Sequence, residues 1–361
     1  MELTIQDFKA FPTTRYQGSK RKMVGWIYQN LKHIEFDRVL DAFGGTGSVS
    51  YLFKRMGKSV NYNDSLRFNH IVGKAIIEND KVQLTERDIE YLLRQTKINS
   101  YDFIRTTFKG IYYTTRENRW LDNFIGGLDR MNTYPDEILN YKKALAQYAL
   151  YQACLTKRPF NLFHRNNLHI RTNDVERNFG NKTTWERTFG SQFTVFAKEA
   201  NRSIINTGER CRSTNESVFD IEDVDYDLVY LDPPYVANKD KNETSNYLKC
   251  YHFLEGISNY HDWESAVDFE TRNLRFREPD SQYPFHPKEI STSIEKILHK
   301  FQDSIIVLSY KRGGVPSVES LTKLMKKFKK NVFTRSLHYQ YALNRQNGDA
   351  RKNREVLIIG I

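Results

Sequence analysis

The sequence predicts an α/β chain organised on an open, mainly parallel sheet, and three stretches carry that expectation. Arg38-Val-Leu-Asp-Ala-Phe-Gly-Gly-Thr-Gly-Ser48 reads as a strand, an acidic tip, a glycine-rich turn and the start of a helix. Ser59 to Tyr62 reads as a second strand ending at Asn63-Asp64. Asp227-Leu-Val-Tyr-Leu-Asp-Pro-Pro-Tyr235 reads as an apolar strand, Leu228 to Leu231, stopped by two prolines that offer no ladder N–H. Sheets of this class bind ligands beyond the carboxyl ends of their strands, where Asp41, Asp64 and Asp232 all fall.

Arg15-Tyr-Gln-Gly-Ser-Lys20 is a turn feeding a helix over Lys22 to His33, with Met23, Ile27 and Leu31 at helical spacing beside Trp26. Free N–H groups at such a helix start suit an anion or carboxylate, and Lys20 adds charge. The glycines after Asp41 let the backbone turn tightly and approach a ligand, while Asp41 can take a charged amine or hydroxyl. The pattern G-x-G-x-x-G is not matched and no G-K-[ST] follows, so NAD and ATP fit poorly. A nucleoside with an amino-acid tail fits better, and Asp64, about twenty residues after the glycines, is placed to grip a ribose diol.

From about Ile71 to Tyr148 the pattern is helical, with runs over Val82 to Gln95 and Glu137 to Leu155. Pro159 then breaks the helix inside Lys157-Arg-Pro-Phe-Asn-Leu-Phe-His-Arg-Asn-Asn-Leu-His-Ile-Arg171, which interleaves rings with Arg and Asn. Between Tyr151 and Asn215 there are eleven Lys and Arg against five Asp and Glu, over half of the chain's positive surplus. Arg and Asn read base edges, and Lys and Arg neutralise phosphates. Lys157, Arg158, Asn161, His164, Arg165, Asn167 and Arg171 are therefore the candidate DNA contacts; a solvated basic loop is the plainer alternative.

Glu216 to Asp220 falls where a third strand tip belongs. After Tyr235 an insertion, polar at first, runs to about residue 287. A helix over Lys288 to Lys300, a strand over Ser304 to Tyr310 and a turn at Lys311 to Gly314 follow. A helix over Ser317 to Lys329, a strand near Val332, a polar hairpin turn from Tyr339 to Arg354 and a final edge strand, Glu355 to Ile361, complete the chain.

Composition narrows the partners. The chain of 361 residues has 55 Lys and Arg against 44 Asp and Glu, a formal charge of +11 that favours a polyanion. Aromatics are 14%, with 22 Tyr and 23 Phe, enough for a ring-rich core and for stacking on bases. Cys154, Cys211 and Cys250 lie far apart, which argues against disulfides or a zinc site and for a reducing compartment. The N-terminus shows no signal peptide, no run is long enough to span a membrane, and no His spacing suggests a metal. A cytoplasmic protein without a metal is expected.

The tetrapeptide Asp232-Pro-Pro-Tyr235 suits methylation of an exocyclic amine. The amino nitrogen of adenine is a poor nucleophile because its lone pair is delocalised into the ring. Two acceptors for its N–H hydrogens, the Asp232 carboxylate and the Pro233 carbonyl held in direction by Pro234, pull it towards tetrahedral geometry. Tyr235 supplies a flat face for an extruded base. The plainer alternative is a strand followed by a Pro-Pro turn.

Tyr16-x-Gly-Ser-Lys20, Asp41-x-Phe-x-Gly-x-Gly47, Asn63-Asp64 and Asp232-Pro-Pro-Tyr235, in that order, resemble the Dam-like (D12-class, alpha-group) DNA adenine-N6 methyltransferases. Lys-Arg-Pro-Phe-Asn161 lies where that family has its recognition hairpin, and Glu355-Val-Leu-Ile358 is similar to its last strand. The resemblance covers nearly the whole chain and is weakest in the middle. It implies a Rossmann-like methyltransferase fold with a mixed seven-stranded sheet, base flipping in duplex DNA, and S-adenosylmethionine as methyl donor. Tyr16 and Lys20 would lie near the donor's amino-acid end, with Asp41, Phe43, Gly45 and Gly47 along it. Asp64 would sit on the ribose, Ser217 and Val218 near the adenine, and Asp232 at the reacting end.

The implied division is a catalytic domain, 1–75 and 205–361 with an insertion at about 236–287, and a mainly helical target-recognition domain, 76–204. Tyr251-His-Phe-Leu-Glu-Gly256 and the Phe-His164 segment look closer to modification enzymes of restriction systems than to housekeeping Dam. That implies a target other than GATC and a partner restriction endonuclease. N4-cytosine methylation is the nearest alternative, although Ser at 232 would have favoured it. RNA or a protein glutamine as substrate is a further one. A catalytically inactive DNA-binding protein of the same fold is the last, and no expected catalytic position is broken here.

Overall fold

A computed structural model of the chain describes all residues except 1–2, 5–6, 9, 14, 174–181, 236–245, 278–283 and 339–353. The strands are β1 (Arg38–Asp41), β2 (Ser59–Asn63), β3 (Arg212–Thr214), β4 (Leu228–Leu231), β5 (Ile305–Lys311), β6 (Val332–His338) and β7 (Arg354–Gly360). They form one sheet in the order β3-β2-β1-β4-β5-β7-β6. The first five are parallel, and β7 runs antiparallel between β5 and β6, which makes the expected mixed seven-stranded sheet. The strand order reverses between β1 and β4, and a crevice opens at such a point.

Strand residues alternate between two cores. Val39, Tyr230, Val307, Leu357 and Ile359 belong to one, and Leu40, Val229, Ile306, Leu308, Val356 and Ile358 to the other. The first core is covered by α1 (Val24–Leu31), α2 (Ser48–Arg55), α3 (Arg67–Gly73) and further helices of the middle segment. The second is closed by α9 (Ile290–Lys300) and α10 (Val318–Met325). Burial on both faces is why β4 and β7 read as unbroken apolar runs.

The same burial corrects one expectation. Glu355 to Ile361 was expected at the sheet edge, yet β7 is interior, and the edge belongs to β6, whose residues are mostly exposed. An apolar run such as Val-Leu-Ile-Ile suits a strand covered on both faces, which an edge seldom provides. The expected hairpin turn between these strands lies almost wholly outside the described residues.

The middle segment holds α4 (Glu86–Gln95), α5 (Thr115–Asp129), α6 (Asp136–Thr156) and α7 (Phe189–Ser203). Helix α4 begins four residues later than the apolar pattern suggested. Thr85 and Asp88 form a capping box there, and Asn79 Oδ1 instead takes the N–H of Val82 at 2.9 Å. Helices α5 and α7 fall in the segment expected to be mainly helical, but neither was singled out as a run. Both start on a threonine cap, Thr114 paired with Glu117 and Thr188 bonded to the N–H of Ser191.

Helix α8 (Tyr247–Ser258), inside the insertion, is a core element of the helical part. Phe253 stacks on Phe163 at 5.0 Å and meets Phe108 edge-on at 5.2 Å. Trp263 lies so close to Gly256 that a Cβ there would be 1.8 Å from its ring. Among the described residues no helix is long and apolar enough to cross a membrane.

Candidate active site

The carboxyl ends of β1, β2 and β4 open on a cavity of about 370 Å³, within the range of small-ligand sites. Its wall carries Tyr16, Lys20, Asp41, Phe43, Gly45, Asp64 and Asp232. Gly44 and Gly45 tie the glycine turn to β2: Gly44 N donates to Asn63 O at 2.8 Å, and Gly45 N to Asp64 Oδ2 at 3.0 Å. Gly45, at φ 50°, and Gly47, at φ 73° as the cap of α2, hold left-handed backbone that favours glycine.

Three carboxylates face this space. Asp64 also accepts from Leu66 N at 2.8 Å and Asn69 Nδ2 at 3.1 Å, yet burial still pushes its pKa up to about 6. Burial pushes Asp41 up to about 7, although the Ser50 hydroxyl donates to it at 2.6 Å. A cation placed beside them would favour their ionised forms. Tyr16 closes one side, stacked on Tyr251 at 4.4 Å and on Tyr247 at 5.5 Å.

The third carboxylate belongs to a buried cluster. Lys20, 4% exposed, donates to Asp232 Oδ1 at 2.8 Å and lies 2.7 Å from Oδ2. Its ammonium also donates to the Tyr235 hydroxyl at 2.7 Å and sits 3.3 Å from Glu355 Oε1. Tyr235 has one hydroxyl proton and two acceptors at 2.7 Å, Asp232 Oδ1 and Glu355 Oε1. Burial alone would lower the Lys20 pKa; Asp232 and Glu355 more than offset it and hold it raised. Burial raises Asp232, Lys20 draws it down, and Glu355 pushes it up again, leaving it above the ordinary carboxylate value.

A family model described as D12 class N6 adenine-specific DNA methyltransferase matches residues 16–323. The chain belongs to this family. A type II methyltransferase of Haemophilus parahaemolyticus, M2.HphI, is 24% identical over 356 residues, covering 97% of both chains. The modification methylase StsI of Streptococcus sanguinis is 23% identical over 95% of this chain and 50% of its own length. The type II methyltransferase M.FokI of Planomicrobium okeanokoites is 25% identical over 86% of this chain and 46% of its own. This chain thus spans about half of the last two and nearly all of the first.

A D12 methyltransferase moves a methyl group onto N6 of adenine in DNA, and the geometry brings most of the expected residues to one place. Pro233 and Tyr235 adjoin the lining residues Asp232 and Pro234 without lining the cavity, and Gly47 does not line it. Ser217 and Val218 do not line it either. Val218 is buried in the apolar cluster that includes Phe43 and Phe285, and these two rings form the wall there.

The expected DNA contacts divide. Lys157 and Arg158 are buried, contrary to the expectation that they face a nucleic acid. Lys157 donates to the carbonyls of Trp185 and Arg187 and pairs with Glu117 at 3.0 Å. Arg158 donates to the carbonyls of Leu162, Arg165 and Asn166, and so fastens the turn it precedes. Arg171 pairs with Glu117 at 2.6 Å. Helix packing encloses these cations because backbone carbonyls and one glutamate satisfy them there. Arg165 is exposed; Asn161, His164 and Asn167 are half-buried. Phe160, not among the expected contacts, is 56% exposed and held at φ 61°, beside Asn161 at φ 57°.

Glu355, Tyr247 and Phe285 were missed as site residues. Glu355 had a signal, a lone carboxylate opening an apolar strand. Tyr247 comes from the insertion, and its hydroxyl lies 2.8 Å from where a Cβ on Gly18 would stand.

Proposed function

We propose that the cavity binds S-adenosylmethionine and that the enzyme methylates a flipped adenine in a specific duplex sequence. The carrying observation is a cavity with three carboxylates and one lysine, which suits a ligand with two positive centres, and a glycine turn closed on Asp64. When bound, the donor supplies an electrophilic methyl on a cationic sulfur. Asp64 holds the ribose diol, Asp41 and the Tyr16–Lys20 turn hold the amino-acid end, and Phe43 with Phe285 flanks the adenine. Asp232 and the Pro233 carbonyl accept the two N–H hydrogens of the target amine, and Tyr235 offers its ring to the base. The segment 76–204, together with α8, presents Phe160, Asn161 and Arg165 to the target duplex.

The names of the three relatives support a further step, a modification enzyme beside a cognate restriction endonuclease, and the free cysteines Cys154, Cys211 and Cys250 suit work in the cytoplasm. The test is long-read sequencing of plasmid DNA from a methylation-free host that expresses the chain, with Asp232→Ala as control. One motif marked uniformly with N6-methyladenine, lost in the variant, is the expected result. Unmodified DNA from a folded wild-type protein would overturn the reading.

A further inference from the structure

Three elements meet at the buried Tyr112. Its hydroxyl lies 2.7 Å from the carbonyls of both Phe163 and Asn273 and 2.8 Å from His252 Nε2 of α8. Phe163 belongs to the turn that Arg158 fastens, and its N–H donates to the carbonyl of Cys250 in α8 at 2.8 Å. Asn273 belongs to the insertion. Its Nδ2 donates across the joint to the carbonyls of Phe163 at 3.4 Å and His164 at 3.3 Å.

Asn273 is part of a short hairpin. Val267 and Phe276 form an antiparallel bridge, Asp268 N donates to Arg275 O at 2.7 Å, and Arg277 N donates to Ala266 O at 2.9 Å. The returning limb, Arg272 to Arg277, holds Arg272, Arg275 and Arg277 and no acid. Of the acids before it, Asp268 takes the N–H of Glu270 at 3.1 Å, and Glu270 is exposed.

The joint brings two arginines together. Arg165 follows His164, Arg272 precedes Asn273, and His164 and Asn273 are bonded to each other. Both arginines are exposed, and among the described residues neither guanidinium has a carboxylate or carbonyl partner. The cavity is close by. Asn246, Tyr247 and Leu248 line it, and Cys250, which holds Phe163, follows within about one helical turn, roughly 5 Å. A duplex whose adenine reaches this cavity passes the joint, carrying one negative charge for about every 1.7 Å of its axis. A guanidinium matches the geometry of a phosphate and, without a protein acid beside it, gives up no partner to bind one.

We infer that the insertion hairpin is a second DNA-binding element and that Arg272 contacts the sugar-phosphate backbone beside Arg165. This rests on the reading that Arg165 faces the duplex. Such a contact adds affinity and fixes the register of the recognition turn on the duplex, but carries no sequence information itself.

Fluorescence anisotropy with two duplexes, one bearing the methylated motif and one lacking it, tests this over about 50 to 200 mM salt. The proteins are wild type, Arg272→Ala, Arg165→Ala, the double variant and Lys326→Ala. Lys326 is the charge-matched control, exposed where α10 leads into the start of β6, at the end of the sheet away from the cavity. Arg272→Ala is expected to lower the salt slope by about one on both duplexes, so that its deficit against wild type shrinks roughly threefold across that range. The double variant should lower the slope by about two, and Lys326→Ala should leave it unchanged. The Tm of Arg272→Ala should match wild type, because the side chain holds nothing in the protein. A wild-type slope in Arg272→Ala overturns the inference. So does a loss confined to the motif-bearing duplex, or an equal loss in Lys326→Ala, which would reduce the effect to net charge. A wild-type slope in Arg165→Ala beside a lowered one in Arg272→Ala would keep the hairpin on the DNA and remove only the reading of Arg165.

Discussion

Lys20 and Asp232 are 212 residues apart in the chain and share a hydrogen bond of 2.8 Å. The turn before α1 and the tetrapeptide after β4 are therefore tied into one buried hydrogen-bonded unit. A buried pair broken from one side leaves an uncompensated charge, which typically costs 3–5 kcal/mol.

Lys20→Met is expected to destabilise the fold by roughly that amount, about 3–5 kcal/mol, because Asp232 and Glu355 both lose the Lys20 ammonium. The carboxylates can escape by taking up protons, so the deficit should shrink in acid. Urea denaturation at pH 5 and pH 8 checks this, with the larger loss expected at pH 8. An equal loss at both would mean the lysine contributes packing only.

Burial holds Asp41 at about 7 and Asp64 at about 6, both above their usual 3.8. The folded state therefore keeps protons that the unfolded chain releases, and ligand-free stability should fall as pH rises through about 4 to 7. Asp41→Asn removes the larger of these shifts and should flatten the dependence of Tm on pH. Affinity for a cationic donor should run the other way and strengthen over the same window. Scanning calorimetry with and without S-adenosylmethionine reads both slopes.

A Cβ on Gly44 would stand 2.1 Å from the Tyr62 ring. Gly44→Ala should thus cost about 1–3 kcal/mol through overpacking and displace the turn that closes on Asp64. Donor affinity should fall with it. Gly57, at φ 72° with nothing within 4 Å of a Cβ, is the contrast. Gly57→Ala should cost about 1–2 kcal/mol from left-handed backbone and leave donor affinity alone.

Arg158 is buried and Arg165 exposed, so the two distinguish a scaffold role from the proposed DNA contact. Arg158→Ala strips donors from four carbonyls, those of Tyr112, Leu162, Arg165 and Asn166, and should lower stability by about 2–4 kcal/mol, with DNA binding lost as the turn loosens. Arg165→Ala should keep wild-type stability, weaken DNA binding and reduce the salt dependence by about one counterion. Fluorescence anisotropy against salt concentration, beside a denaturation curve, distinguishes the two. Equal effects from both would mean that Arg158 turns outward on DNA.

Much of the sheet was legible because β1, β2 and β4 end in residues that cannot continue a strand or that face the cavity. Asp41 with its glycines, Asn63-Asp64 and the two prolines mark three strand tips without reference to tertiary structure. Lys157 and Arg158 misled for the opposite reason. Their charge is as visible in sequence as that of Arg165, but the carbonyls and the glutamate that bury it come from residues 117, 162, 166, 185 and 187. Glu355 was hidden in the same way, since its role depends on a strand inserted beside β5. Helix α5 could have been found from Thr114 and Glu117, whose spacing is the capping-box signature.

Placing β7 inside the sheet has a consequence for synthesis. Tyr235 and its acceptor Glu355 are separated by 120 residues. A ribosome adding roughly 5–20 residues per second leaves the tetrapeptide without that partner for something like ten seconds. Until residue 355 emerges, β5 lacks its neighbour and Lys20 has one carboxylate in place of two. Messages truncated before this strand should yield protein without methylating power, so each mark on the DNA certifies that translation reached the final strand.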